Sequence, residues 1–115
     1  MRQTRYEHGD ASARAWGRRS QRGPVQTRDR PWLVLSTDHH PFFPEQYISV
    51  AVSTKSYSDS IALADTEWEV GGVPRESFAS PWALHSPRIE DLETWQGRVS
   101  ESLVDRVVEQ VNEYF

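Results

Sequence analysis

The sequence predicts a small, mainly β domain: several short antiparallel strands, then one C-terminal helix. Three observations carry that prediction. The chain has 115 residues, enough for one modest core. Short apolar runs, some alternating and some continuous, follow one another with turn residues between them. The tail alone shows a helical period. Strands close in sequence and joined by turns favour a small antiparallel barrel.

Residues 11–29, ASARAWGRRSQRGPVQTRD, mix Ala, Arg, Gly, Ser and Pro without period. They read as a loop or disordered segment. The texture changes at Pro31. Trp32-Leu33-Val34-Leu35 is a continuous apolar run bounded by Pro and by Ser-Thr-Asp, which suits a strand buried on both faces over about 32–36. Residues 38–44 form a loop held open by Pro41 and Pro44. Tyr47 to Ser53 alternates and is rich in β-branched residues, a second strand.

Ile61-Ala62-Leu63 reads as a short strand. Trp68, Val70 and Val73 flank a Gly71-Gly72 turn where glycine permits positive φ. A further strand is expected at about 82–86, with Pro81 at its start because proline cannot donate to a ladder. Gln96 to Val99 is short and extended. In SESLVDRVVEQVNEYF, Leu103, Val104, Val107, Val108, Val111, Tyr114 and Phe115 form one apolar stripe. This predicts a helix from about Ser100 to Tyr114, with Ser100 as N-cap and Glu101 favouring the first turn.

Composition narrows the function classes. The absence of cysteine excludes a disulfide framework and a cysteine-based zinc site. No apolar run is long enough to cross a bilayer, and MRQTRYEHGD has no signal-peptide core, so the expectation is a soluble cytoplasmic protein without membrane contact. The net charge of -4 hides an asymmetry: residues 1–30 carry eight arginines against three carboxylates, while residues 31–115 carry five basic residues against fourteen acidic ones. A basic head on an acidic body points to a partner with phosphates near the head, or to a solvated Arg-rich end. Abundant carboxylate with Lys55 as the only lysine also fits a high-salt, haloarchaeal cytoplasm.

His39, His40 and His85, with Asp38 nearby, raise a metal hypothesis. Adjacent histidines on an extended segment point to opposite faces, and no HExxH or CxxC spacing exists, so no metal or other cofactor is expected. GxSxG and glycine-rich phosphate loops are absent. Metal-free cleavage of RNA needs less. The substrate's own 2′-OH attacks, and the protein manages protons and neutralises charge on the phosphate. An arginine supplies paired donors to phosphoryl oxygens, and a hydroxyl at a strand end can hold the same phosphate in line. Arg30 and the pair Ser53-Thr54 would do this if their strands lie side by side, as sequential strands often do.

Here the motifs carry a resemblance. RPWLVLSTD resembles the G-x-RP-hydrophobic-VLS element of the MazF/PemK family of toxin endoribonucleases. VAVST, Val50 to Thr54, resembles the family's second motif, which ends in its catalytic Thr or Ser. WALHSPRIEDL and QGRVSESLVDRVVEQV resemble its C-terminal third, and Tyr6 to Asp10 its opening "RGD" element. The resemblance covers residues 6–10 and about 30–115.

It implies one SH3-like β-barrel domain of the PemK/CcdB type with a terminal helix. It further implies a toxin of a type II toxin-antitoxin system that cuts single-stranded RNA as a homodimer and is silenced by a cognate antitoxin. The catalytic arginine maps to Arg30 and the catalytic hydroxyl to Ser53, with Thr54 adjacent; Arg28, Lys55 and Arg88 map to the RNA-binding side.

The pattern departs from the family after Gly9-Asp10, where an alternating strand and a Gly-rich loop give way to the Arg-rich insert. A high-GC gene read briefly out of frame would produce such an insert. Two alternatives therefore stay open: a non-catalytic barrel that holds RNA or a protein, and a gyrase-directed toxin of the CcdB type. The RP-VLS and VST elements weigh against the latter. Each site residue also has a plainer role available: Arg30 as a strand-flanking charge, Ser53 as a turn cap, Arg88 as an ion-pair partner of Glu90 or Asp91.

Overall fold

The computed structural model describes residues 24–26, 31–73 and 75–115. Eight strands are present among them: β1 (Pro24–Gln26), β2 (Pro31–Val34), β3 (Ser49–Ser53), β4 (Ile61–Ala62), β5 (Trp68–Gly71), β6 (Phe78–His85), β7 (Thr94–Trp95) and β8 (Gly97–Val99). One helix, α1 (Glu101–Asn112), closes the chain. The mainly-β class with a terminal helix is as the sequence predicts.

The sheets do not close into a barrel. Six strands form an open antiparallel sheet in the order β4-β6-β3-β2-β1-β7, and β5 pairs β8 in a separate two-stranded sheet. The two edge strands, β4 and β7, are only two residues long, so each edge is short.

β2 and β3 are buried on both faces because each face meets a different apolar cluster. Leu33, Val50 and Val52 pack with Leu35, Leu63, Ala79 and Val99 against Leu103, Val104 and Val107 of α1. Val34 on the opposite face joins Tyr47, with Trp32, Phe43, Val70, Ile89 and Leu92 around them. Period-2 alternation therefore assigns Leu33, Val50 and Val52 to the helix side. It assigns Trp32, Val34, Ser49, Ala51 and Ser53 to the other side.

The helix has the predicted start. Ser100 Oγ accepts from the Leu103 N–H at 3.1 Å and donates to Glu67 Oε1, while Arg106 Nη2 donates to Glu67 Oε2 at 2.9 Å. Glu67 thus fixes the helix onto the segment before β5. The stripe ends earlier than expected, since the helix stops at Asn112. Tyr114 and Phe115 are exposed, and the Tyr114 hydroxyl donates instead to Asp59 Oδ2 at 2.9 Å.

Three other expectations change. Residues 24–26 lie inside the segment read as loop, yet form β1, which pairs β2 on one side and β7 on the other; the exposed backbone of β2 supplies the ladder that the local pattern lacks. The rest of 11–29 lies outside the described residues. Pro81 sits inside β6, not at its start. The β3–β6 ladder skips from Val50↔Leu84 to Ala51↔Ser80, so Pro81 falls in a bulge where no ladder donor is needed. Tyr47 and Ile48 precede β3: the Ile48 carbonyl accepts from Leu35 N–H at 2.8 Å, and Tyr47 N–H donates to the Pro87 carbonyl.

Gly71 meets the positive-φ expectation (φ 72°), at the end of β5, where a Cβ would collide with the Gln96 carbonyl.

Candidate nucleic-acid site

The sheet register governs the site. β2 and β3 pair Trp32↔Ala51, Leu33↔Val50 and Val34↔Ser49. They are neighbours, as the sequence reading required. Ser53 ends β3 opposite Phe78 of β6. It is half-buried, and its Oγ accepts from the Lys55 N–H at 3.0 Å. The hydroxyl therefore caps the turn into 54–60, and as an acceptor there it keeps its O–H to donate elsewhere. Thr54 and Lys55 are exposed beside it. Arg28 and Arg30 lie outside the described residues, as does the opening element Tyr6 to Asp10.

Arg88 stands apart from this group. β3 and β6 are antiparallel, with Ser49↔His85 at one end and Ser53↔Phe78 at the other. Arg88 follows β6 past His85, so it lies at the Ser49 end. β3 alone separates the two ends by roughly 13 Å at about 3.3 Å per residue. Arg88 is exposed and pairs with Gln46 in an isolated antiparallel bridge. Its backbone N–H approaches Asp91 Oδ2 at 3.4 Å, whereas among the described residues no carboxylate comes within 4.0 Å of its guanidinium. The ion pair with Glu90 or Asp91 is not made.

The histidines are dispersed. His39 is exposed, His40 Nδ1 accepts from the Phe42 N–H at 3.0 Å, and His85 stacks on Trp32 with ring centroids 4.4 Å apart. Among the described residues no group of three His, Asp or Glu is placed to hold a metal ion. No helix among them is long and apolar enough to cross a membrane. Burial raises the Tyr47 phenol well above its ordinary pKa, so Tyr47 stays protonated and serves packing.

Two features were missed from sequence. One is the Trp32–His85 stack, which joins strands separated by β3 and has no local signature. The other is the cleft beside Arg88, which needs the pairing of residues 45–47 with 87–89 before it exists.

No family model matches the chain, and no curated protein matches it. Solved structures do. An endoribonuclease from a mycobacterial species superposes with a TM-score of 0.65 at 15% identity, covering 81% of this chain and 88% of that one. The Mycobacterium tuberculosis toxin MazF-mt6 gives 0.62 at 16%, covering 81% and 93%. An endoribonuclease in complex with its cognate antitoxin, also mycobacterial, gives 0.60 at 13%, covering 83% and 88%. The fold is that of the MazF toxins. At these identities it is the MazF architecture that is shared, and the mycobacterial neighbours give the high-salt expectation no support.

Proposed function

We propose that this chain is the toxin of a type II toxin-antitoxin pair, an endoribonuclease that cleaves single-stranded RNA without a metal. The observation that carries the reading is the β2–β3 register. It sets Trp32 opposite Ala51, two residues before Ser53 on β3, and Arg30 precedes Trp32 by two positions in the sequence. Ser53 has the parity of Ala51, on the side away from α1. An arginine and a hydroxyl there would grip one phosphate. Arg30 supplies two parallel N–H donors to the phosphoryl oxygens as charge grows on them, and Ser53, with Thr54 beside it, holds the group in line. The attacking group is the RNA's own 2′-OH, and the chain ends as a 2′,3′-cyclic phosphate while the 5′-oxygen leaves with a proton. Arg28 and Lys55 would add cationic contacts to the flanking phosphates. One neighbour is an endoribonuclease in complex with its cognate antitoxin, which supports an antitoxin partner here; a homodimer in a cytoplasmic setting completes the reading.

The test is cleavage of a mixed-sequence single-stranded RNA in EDTA. The reading predicts products with 5′-hydroxyl ends, and intact substrate when the ribose at the cut site is 2′-deoxy. RNA retained but never cut would assign a non-catalytic RNA-binding domain of the same fold.

A further inference from the structure

The turn 40–46 and the segment after β6 are zipped together. Tyr47 N–H donates to the Pro87 carbonyl at 3.0 Å, Ile89 N–H to the Glu45 carbonyl at 2.8 Å, and Gln46 Nε2 to the Ser86 carbonyl at 3.3 Å. These bonds use backbone atoms of Glu45 and Ile89, so the side chains of Glu45, Arg88 and Glu90 take no part in them. Those side chains, with Phe42, Gln46 and Ile89, line an open cleft of about 660 Å³. Phe42 is 61% exposed there. The cleft therefore presents one guanidinium, two carboxylates and an aromatic face on a frame held by main-chain bonds. The guanidinium and the carboxylates stay more than 4.0 Å apart, so they do not satisfy one another.

We propose that this cleft holds a guanine base of the single-stranded RNA. Two carboxylates beside one arginine make a poor seat for a bare phosphate. They suit a planar ligand with paired acceptors on one edge and paired donors on another. Guanine offers O6 and N7 to the two N–H groups of Arg88, and N1–H and N2–H to a carboxylate of Glu45 or Glu90. Adenine, cytosine and uracil each lack the adjacent donor pair. Phe42 supplies the stacking surface usual for unpaired RNA bases. The inference rests on the RNA reading above for its polymer, and it gives the distant Arg88 a role the Ser53 end cannot: selecting which base enters.

Calorimetric titration of the full chain with guanosine, inosine and adenosine 5′-monophosphates tests the pocket without reading cleavage. GMP should bind about tenfold or more tighter than IMP, which lacks N2–H, and than AMP. The variant Glu45→Gln/Glu90→Gln should abolish that preference, and Arg88→Lys should weaken GMP, because an ammonium cannot pair with O6 and N7 together. Equal binding of the three nucleotides, selectivity that survives Glu45→Gln/Glu90→Gln, or no GMP binding at millimolar concentration would overturn the proposal. A short single-stranded RNA with one guanine should bind tighter than GMP; binding no tighter would assign the cleft to the free nucleotide and overturn its place on the RNA. A chain that selects guanine but leaves RNA uncut would sink the nuclease reading and keep the cleft.

Discussion

The two faces of the β2–β3 pair share a backbone and differ in almost everything else. The face toward α1 is aliphatic: Leu33, Val50 and Val52 meet Leu103, Val104 and Val107, and all six are at most 3% exposed. The other face alternates large and small, polar and apolar: Trp32 stacked on His85, then Ser49, Ala51 and the half-buried Ser53. A dry aliphatic face can only contribute stability. A face with a hydroxyl at its rim has a polar group free to meet a ligand. One strand, β3, thus gives alternate residues to the core and to a polar rim, because its register is fixed.

The largest effect belongs to the helix side. Leu103→Ala removes a fully buried side chain from the α1 contact and is expected to cost about 2–5 kcal/mol, read by urea unfolding. Cleavage should fall only as far as the folded fraction falls. At the proposed site the expectation reverses. Arg30→Ala should lower RNA cleavage by about 10²-fold or more, mainly in kcat, with the melting temperature nearly unchanged. Arg30→Lys should rescue little, because a point ammonium does not donate two parallel bonds to one phosphate. If Arg30→Ala instead unfolds the chain, the two faces are not separable as described.

A smaller effect sharpens the helix side further. Ser100→Ala deletes the N-cap acceptor and the bond to Glu67, and should cost about 1 kcal/mol in thermal or urea unfolding with cleavage per folded molecule intact.

The aliphatic face was readable because its signals are local. A continuous run bounded by Pro31 and Ser36, an alternating run ending at Ser53 and a 3.6-period stripe starting after Ser100 each state their own structure. What escaped depends on distant partners. β1 has only three residues and acquires its strand from the edge of β2. Pro81 looked like a strand boundary because the bulge that accommodates it is defined by β3. Tyr114 and Phe115 fit the helical stripe on paper, but the helix ends before them. At the site, Ser53 and its turn were legible, whereas the separation of Arg88 from Ser53 follows from the antiparallel order of β3 and β6, which spacing alone does not reveal.

In the proposed function, Arg30 and Ser53 act on one phosphate. A double-mutant cycle on single-turnover RNA cleavage measures it directly, using the parent, Arg30→Ala, Ser53→Ala and the double variant in EDTA. Groups that hold the same phosphate are not independent, so the double variant should lose far less than the product of the two single losses, a coupling of about 0.5–3 kcal/mol. Losses that multiply without coupling, or a Ser53→Ala variant that cleaves at the parent rate, would contradict the account.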